Sequence, residues 1–456
     1  MRPMLVAIAL VAAATPAFAD DPKIEFEKYK LPNGLEVILA PDTRVPLVAV
    51  NVWYHVGSGN EVKGRSGFAH LFEHMLFQGS KNTCLALEPD PAKKNSMCDK
   101  HFEVLRKIGA NEVNGTTNPD RTNYYEVVPS QNLETALWLE SDRMSHLLAI
   151  LDRTALDNQI DVVRNERRQN YDNVPYRKAL FAMYEALFPE GHPYRYLTIG
   201  KHEDLTAASV DDVKNFFKTW YVPANATLAI VGDFDTAAAK QLIDKWFGTF
   251  PASQKPKSVK VPMPAQVAKT VSVDDSFAKL RQVTYAWLSP AFYADGDAEL
   301  DIAANALTAE GRGRLYKTLV YDKQLAQSVR AGQDSSGFSS IFSITVTLRS
   351  GANLDEVTKL VMEEVARVSK ENLSDKEIQR FVAQTEAQVI YGLESLNGRA
   401  NDLQAYNHYL GDPNRITWDL DRYRKTTADK IRATFAKFVV PTKAVTIITN
   451  PAGGAK

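Results

Sequence analysis

The sequence has 456 residues, a length that favours two or more domains over one. Hydrophobic residues make up 45% of the chain and charged residues 24%, which is enough apolar material for sizeable cores and argues against a disordered protein. The formal net charge is -1, so composition gives no support to a nucleic-acid-binding protein, which would carry a marked basic excess.

The N-terminus has the pattern of a secretory signal peptide. Arg2 supplies the positive charge, residues 5–14 form an apolar run, and A-F-A at 17–19 forms a small-residue cleavage site. A run this short cannot cross a bilayer, which takes about 20 residues, and no later stretch is long enough either. We therefore predict a cleaved signal peptide over 1–19, no membrane span in the mature chain, and export, with the periplasm as the expected compartment.

A faint internal repeat divides the chain. Residues 213–230 and 431–448 share apolar, Val-Pro and aromatic positions at a constant offset of 218 residues. Each copy predicts an amphipathic helix, a Val-Pro stop and then an apolar strand. Two such copies, each near the end of one half of the chain, indicate a duplication.

Proline-rich composition places the boundary between the halves. Residues 251–264 contain four prolines among serines and lysines, which is linker composition. We therefore predict a first domain at 24–250 and a structurally similar second domain at 265–456. Strand patterns occur at 36–40, 48–56, 124–128 and 227–231. They do not alternate strictly with the helical patterns, so the predicted class is α+β, with mostly antiparallel sheets packed with helices.

One apolar helical segment carries candidate metal ligands. Residues 67–79 read GFAHLFEHMLFQG, which places His70, Glu73 and His74 on one face of a helix. Two imidazoles can hold one zinc ion, which then needs one more protein ligand and a water. Zinc lowers the pKa of that water toward about 7, and Glu73 can take its proton. A serine-hydrolase elbow of the form G-x-S-x-G is absent from the sequence.

This motif resembles that of the pitrilysin-type zinc metallopeptidases, the inverzincins, which include insulysin and the mitochondrial processing peptidase. The resemblance extends over nearly all of the mature chain. It implies one Zn²⁺ per chain and a third ligand in residues 161–168, where the matching residue is Glu166. Other carboxylates, such as Glu140, compete for that role. Many relatives have a second Glu seven residues before the ligand, where this sequence has Gln159, and we expect this amide to lie near the site as an uncharged neighbour.

The resemblance also implies a function and a way of binding substrate. The expected function is that of a zinc endopeptidase that cuts extended peptides inside a clam-like shell, of which this chain forms one half. Zinc-bound water would attack, with Glu73 as the general base. Residues 109–117 resemble an edge strand beside the zinc, in which Asn111, Asn114, Gly115 and Thr116 would pair with substrate backbone. A Gly/Asn turn without functional consequence is the alternative for this segment.

Two cysteines lie in a polar segment, residues 82–100, that looks like an insertion relative to the family. Cys84 and Cys98 are the cysteines of the sequence, and in an oxidising compartment they would pair. We predict this disulfide, with two unrelated thiols as the alternative.

A departure from the family pattern predicts a partner. Relatives bring an Arg and a Tyr, seven residues apart, to the substrate from a second half-shell. The corresponding positions here are Val320 and Gln327. Nearby substitutes are available, namely Arg314, Tyr316, Tyr321 and Arg330. We favour a heterodimer with a paralogous subunit that supplies the Arg/Tyr pair.

The competing function is a peptide-binding or scaffold subunit with weak or no proteolysis. The predicted helix at 298–309 contains no histidine, so we expect the second domain to bind no metal. Intact His70, Glu73 and His74 favour catalysis by the first domain.

Overall fold

A computed structural model describes residues 21–87, 90, 98, 100–257 and 261–451 of the protein. The predicted signal peptide, residues 1–19, lies outside the described residues. Within those ranges, every helix is too short or too polar to cross a membrane.

The described residues of the first half form one sheet and nine α-helices. Its strands are β1 (Glu27–Lys30), β2 (Glu36–Pro41), β3 (Leu47–Tyr54), β4 (Asn111–Thr117), β5 (Thr122–Pro129) and β6 (Ala226–Gly232). Its helices are α1 (Phe68–Met75), α2 (Lys81–Leu87), α3 (His101–Lys107), α4 (Leu133–His146), α5 (Arg153–Arg167), α6 (Arg177–Leu187), α7 (His202–Thr206), α8 (Val210–Trp220) and α9 (Thr236–Phe247).

The second half has fewer strands and six α-helices. Its strands are β7 (Lys269–Asp275), β8 (Gln282–Ser289), β9 (Ala326–Asp334), β10 (Ser340–Leu348) and β11 (Val445–Pro451). Its helices are α10 (Asp297–Thr308), α11 (Leu354–Val368), α12 (Asp375–Gly392), α13 (Leu396–Leu410), α14 (Ile416–Arg424) and α15 (Ala428–Phe438). Short 3₁₀ turns and two π-helical turns, Arg168–Asp172 and Tyr316–Asp322, connect some of these elements.

The second sheet repeats the strand order of the first sheet from β2 onward, and β1 is an additional strand of the first sheet. The first has the strand order β1-β2-β6-β3-β5-β4 and the second β7-β11-β8-β10-β9. In each sheet one pair is parallel, β2 with β6 and β7 with β11, and the remaining pairs are antiparallel. The predicted α+β class with mostly antiparallel, duplicated sheets is therefore confirmed.

The repeat in the sequence is visible residue by residue in the structure. The offset of 218 relates the ends of α8 to those of α15, and the 3₁₀ turn Pro223–Asn225 to the turn Pro441–Lys443. The predicted strands are present as β2, β3, β5 and β6, with ends shifted by one or two residues. Residues 251–257 and 261–264 form neither helix nor strand, whereas 258–260 lie outside the described residues. The domain limits themselves stay a prediction.

One helix from each half packs on the sheet of the other half. Helix α6 from the first half packs on β7, β8 and β11, and helix α13 from the second half packs on β3 and β6. The contact of α6 is apolar, because Ala179, Met183 and Leu187 pack against the buried face of the second sheet. The two halves are therefore interlocked through their cores.

Helix α13 combines apolar packing with a row of buried amides. Leu396, Ala400 and Leu403 pack on the first sheet. Gln404 is buried, and its amide nitrogen donates to the backbone oxygens of Asn51 at 2.9 Å and Thr227 at 2.8 Å. These bonds tie the second half to two central strands of the first.

The predicted disulfide is present. Cys84 is fully buried and bonded to Cys98, and their Cα atoms are 5.5 Å apart. Helix α2, which carries Cys84, is capped by the buried Asp142 carboxylate, which accepts from the backbone N–H groups of Asn82 at 3.1 Å and Thr83 at 3.0 Å. The segment that follows the metal-site helix is thus fixed from two sides.

The amide of Gln404 gives a test of the interlock. We expect Gln404→Ala to lower the free energy of unfolding by about 1–3 kcal/mol, because two hydrogen bonds to central strands are lost inside a buried contact. The midpoint of urea denaturation measures this change. Gln384→Ala, an exposed position on α12, is the control and should leave the midpoint unchanged. Equal midpoints for both variants would contradict the role of Gln404.

Candidate metal centre and active site

Helix α1 is short, and its surroundings hold it at both its start and its sides. It begins after Gly67, whose φ of 91° lies in the left-handed region that favours glycine. Glu61 supplies the missing cap, since its carboxylate accepts from the backbone N–H groups of Gly67 at 2.9 Å and Ala69 at 2.8 Å. Phe68, Ala69, Leu71, Phe72 and Met75 are buried. The opposite face therefore presents His70, Glu73 and His74.

Three side chains converge beside α1. The carboxylate oxygen Oε2 of Glu166 lies 3.1 Å from Nε2 of His74 and 3.7 Å from Nε2 of His70. One ligand atom from each residue lies within 4.8 Å of the other two. Ligands at about 2.0–2.1 Å from a tetrahedral zinc ion are separated by about 3.3 Å, so this set matches the spacing that zinc needs.

Helix α5 brings Glu166 to this position. It packs against α1 and begins at Asp152, whose side chain accepts from the backbone N–H of Ala155 at 2.8 Å. Glu166 lies in its last turn, 92 residues beyond His74 in sequence. Glu140, the competing carboxylate, pairs instead with Arg143 in the buried core. It is therefore not part of the metal-ligand cluster.

The electrostatics of the cluster suit a divalent cation. Burial, with His74 close by, lowers the pKa of His70 to about 4, so its imidazole is neutral at physiological pH, the form that binds metals. The hydrogen bond from His74 lowers the pKa of Glu166, which keeps this carboxylate ionised. Two imidazole nitrogens and one carboxylate are a common donor set of catalytic zinc sites.

Glu73 lies outside the metal-ligand cluster, next to the edge strand. Its Oε2 accepts a hydrogen bond of 2.6 Å from Oγ1 of Thr117 on β4. Burial raises the pKa of Glu73, and the Thr117 hydrogen bond opposes that rise. A Cβ on Gly115 would lie 3.0 Å from Cγ of Glu73 and 3.0 Å from the ring of Phe77, so a side chain at this position would have to displace one of them.

Strand β4 is the edge of the first sheet, as predicted, and has the predicted residues. The backbone N–H of Asn118 donates to the backbone oxygen of Arg121 at 3.0 Å, so these residues form a hydrogen-bonded pair. Hydrogen-bonded and non-hydrogen-bonded pairs alternate from there along β4 and β5. The alternation leaves the backbone N–H and C=O of Gly115 and Thr117 directed away from β5. At present Gly115 N–H donates to the side-chain oxygen of Asn114 at 2.9 Å.

The other predicted residues occupy different surroundings. Asn111 and Asn114 are exposed, and Thr116 accepts from the Arg121 side chain. Gln159 is buried on α5 and makes no side-chain hydrogen bond within the described ranges. Its role near the site stays a prediction.

Two contributors to the site were missed at the sequence level. Thr117 lies in the predicted edge strand, and its alternation with Gly115 would have placed it on the face of Glu73. Glu61 had no local signal, because its carboxylate caps a helix that starts several residues later across a loop.

The described residues of the second half include no cluster that matches the metal-ligand set of the first half. Helix α10 begins after Gly296, with φ of 101°, as α1 begins after Gly67. Aligning these two glycines places Glu299, Ile302 and Ala303 at the positions of His70, Glu73 and His74. Among the residues that the structure describes, His70, His74 and Glu166 form the single group found with metal-ligand spacing.

The residues that could replace the missing Arg/Tyr pair differ in exposure and in whether they are already paired. Arg314 forms a two-point ion pair with Glu377, with bonds of 2.8 and 2.9 Å, which engages its guanidinium. Tyr321 is 75% exposed, and Arg330 is exposed on the edge strand β9. Val320 lies in the π-helical turn before β9, and Gln327 is exposed at the start of that strand.

Comparison with known proteins identifies the family of this chain. Residues 36–195 match the profile described as "Insulinase (Peptidase family M16)", and residues 207–385 match "Peptidase M16 inactive domain". The chain is 27% identical over 420 residues to zinc protease PqqE of Helicobacter pylori, covering 89% of this chain and 90% of that protein. It is 22% identical over 390 residues to the mitochondrial-processing peptidase subunit beta of Lentinula edodes, covering 82% of this chain and 78% of that one.

Solved structures show the same fold. A protease from Helicobacter pylori superposes with a TM-score of 0.84 at 23% identity, covering 94% of this chain and 100% of that one. The periplasmic protease PqqL from Escherichia coli superposes with a TM-score of 0.76 at 18% identity, covering 95% of this chain and 49% of that one. From the two family profiles, the shared architecture and the zinc proteases among its relatives, the chain belongs to peptidase family M16.

Proposed function

We propose that this protein is a zinc-dependent endopeptidase that cuts peptides bound in extended form. The observation that supports this most directly is the convergence of His70, His74 and Glu166 beside Glu73, at a sheet edge with free backbone groups. In this proposal the three converging side chains hold one Zn²⁺, and Glu73 acts on the reacting groups.

The chemistry follows from the positions of the side chains. A bound zinc ion would acidify water and polarise the scissile carbonyl. Glu73, not being one of the three ligands, is free to accept a proton from the attacking water at its carboxylate and to deliver it to the leaving amine. Thr117 holds Oε2 of Glu73, which leaves Oε1 for the proton.

Substrate binding is proposed to extend the first sheet. The outward N–H and C=O groups of Gly115 and Thr117 would pair with the peptide backbone, which gives affinity with little dependence on side chains. Asn114 would release the N–H of Gly115 when the peptide arrives. This use of main-chain groups suits a peptidase that accepts several sequences.

The competing proposal is a peptide-binding subunit with little proteolysis. The "inactive domain" profile matches 207–385, the part that begins near the end of the first half and includes the metal-free α10. The cluster on α1 and α5 lies outside that range, which favours catalysis by the first half. Cleavage of a quenched fluorogenic peptide by the purified, zinc-loaded protein distinguishes the two proposals.

We also infer an exported, periplasmic location. The signal-peptide pattern of residues 1–19 supports this, as does the Cys84–Cys98 disulfide, since disulfides persist in oxidising compartments. The E. coli protein of similar fold is a periplasmic protease.

The role of Glu73 can be separated from metal binding. We expect Glu73→Gln to keep one zinc per chain and to lower kcat by about 10²–10⁴-fold, because an amide cannot take up the proton. Metal content by mass spectrometry and peptide cleavage measure the two properties. His70→Ala should lose both, whereas Glu371→Gln, an exposed position, should lose neither. A Glu73→Gln protein with the parent turnover would refute the assignment.

The hydrogen bond from Thr117 predicts a pH effect. Because this bond lowers the pKa of Glu73, Thr117→Val should raise it, and the acidic limb of the kcat/KM profile should move to higher pH. At pH 7 we expect kcat/KM to fall about tenfold, the effect of one hydrogen bond to a charged group. Thr117→Ser keeps the hydroxyl and should restore the parent profile. If the valine and serine variants behave alike, Thr117 does not position Glu73.

The partner proposal follows from Val320 and Gln327. We propose that a paralogous subunit supplies the Arg/Tyr pair, because Val320 and Gln327 lack these groups and the nearby Arg314 is engaged by Glu377. Adding this subunit should raise kcat of the isolated chain by about 10²–10³-fold, the effect of gaining an oxyanion donor. Light scattering should show a heterodimer. Full activity of the isolated chain, unchanged by any added paralogue, would contradict the proposal.

A further inference from the structure

A cavity lies on the other face of the edge strand, away from the metal-ligand cluster. It has a volume of about 430 Å³ and lies between strands β4 and β5, helix α13 and the loop that precedes α10. Its walls include Thr116 and Tyr125 from the first sheet, and Phe292, Asp402 and Tyr409 from the second half. Both halves of the chain therefore contribute to it.

The pleat of β4 connects this cavity to the proposed substrate. Gly115 and Thr117 face α1, as their contacts with Glu73 show, whereas Thr116 lines the cavity. Residues directly opposite each other in a sheet direct their side chains to the same face. In a peptide added to β4, the residue opposite Thr116 would direct its side chain into the cavity, and its two neighbours would face α1.

Asp402 is distinctive among the carboxylates around this cavity. The neighbouring Asp419 accepts from Tyr406 at 3.0 Å and from Arg422 at 2.6 Å, and Asp120 accepts from Tyr409 at 3.1 Å. Asp402 is half-buried on α13, and in the described part of the chain its carboxylate has no hydrogen-bond donor and no cation within ion-pair distance. Burial, together with the charge of Asp419, raises the pKa of Asp402 to about 6.

The positive group in the cavity is already engaged elsewhere. The Arg121 guanidinium donates to the Thr116 backbone oxygen at 2.9 Å and to the Asn123 side chain at 3.1 Å, and it lies 4.9 Å from the centre of the Trp53 ring. Its role is thus to fix the β4–β5 turn. Tyr125, Phe292 and Tyr409 add aromatic surface, which attracts cations.

We propose that this cavity is a specificity pocket that binds a lysine or arginine side chain of the peptide, with Asp402 as its counter-ion. The proposal rests on the proposed peptidase function, because it uses strand addition on β4. The pocket offers a basic side chain an unpaired carboxylate and aromatic walls. The methylene stem of lysine or arginine is long enough to cross the mouth of the pocket at Thr116. The pocket would select the side chain opposite Thr116, whereas β4 would bind the peptide backbone whatever its sequence.

Binding to an inactive variant tests this pocket directly. The probes are fluorescent peptides that differ at one position, which carries lysine, norleucine or glutamate, scanned along the chain. Their Kd values are measured by anisotropy with zinc-loaded Glu73→Gln protein, and then with the same protein carrying Asp402→Asn. Asp274→Asn, on the exposed part of β7, is the matched control.

We expect lysine to bind about tenfold more tightly than norleucine at one position and not at its neighbours. Asp402→Asn should remove that preference, and Asp274→Asn should keep it. Equal binding of lysine and norleucine at every position, a preference that survives Asp402→Asn, or tightest binding of glutamate through Arg121 would each overturn the proposal. Unchanged circular dichroism and Tm of Asp402→Asn exclude misfolding as the cause.

A parallel cleavage assay separates this inference from the proposed function. If the zinc-loaded parent protein cuts none of the peptides, the peptidase proposal fails, whereas the ratio of the Kd values still decides whether Asp402 binds a basic side chain. If the parent cuts peptides without a lysine preference that depends on Asp402, the pocket is wrong and the peptidase stands.

Discussion

The burial of one face of helix α1 is the constraint on which the site depends. A helix of eight residues is too short to be stable alone, so it forms here because its apolar residues are enclosed by the first sheet and by α5 and α8. Its exposed N–H groups are satisfied by Glu61, a residue outside the helix. Once this face is buried, the helical spacing of His70, Glu73 and His74 places all three side chains on the opposite face of α1. Glu166 then completes the group from a second helix packed against the first.

Two roles are divided between the two faces of the same edge strand. On the face toward α1, the glycine at 115 leaves room for the Glu73 side chain, and the Thr117 hydroxyl donates a hydrogen bond to the Glu73 carboxylate. The other face is wider and borders a cavity that the second half closes. A single β-strand can do this because successive side chains point in opposite directions. The second half therefore contributes to the surroundings of the edge strand, although its described residues include no group with metal-ligand spacing.

The sequence predicted the local chemistry well and the long-range packing poorly. His70, Glu73 and His74 follow from helical spacing, and the bounds of β4 agree with the segment identified by resemblance. The helical pattern of 67–79 overestimated α1, which ends at Met75, because apolar residues continue past the helix into the core. Helix ends and strand starts were predictable where turn residues mark them, as at the Val-Pro pairs that follow α8 and α15 and precede β6 and β11.

What the sequence could not show depends on contacts between distant residues. The amides of α13, among them Asn397, Asn401 and Gln404, have the composition of an exposed helix, yet they bond to strands some 350 residues away. The unpaired state of Asp402 likewise exists only once α13 lies across the first sheet. The pairing of Glu140 with Arg143, which removes a rival ligand, is a property of the folded core.

The exchange of α6 and α13 has a consequence for how the protein is made. Neither sheet has both faces covered until a helix from the other half arrives, so the first sheet stays open on one face until α13 has been synthesised. Contacts this distant in sequence form slowly, because a long loop must close before they stabilise anything. During that interval an apolar sheet face and the open edge of β4 are exposed to other chains. The edge strand β4, which passes beside the metal-ligand cluster, thus reaches its final surroundings only when α13 has packed on the opposite face of the sheet.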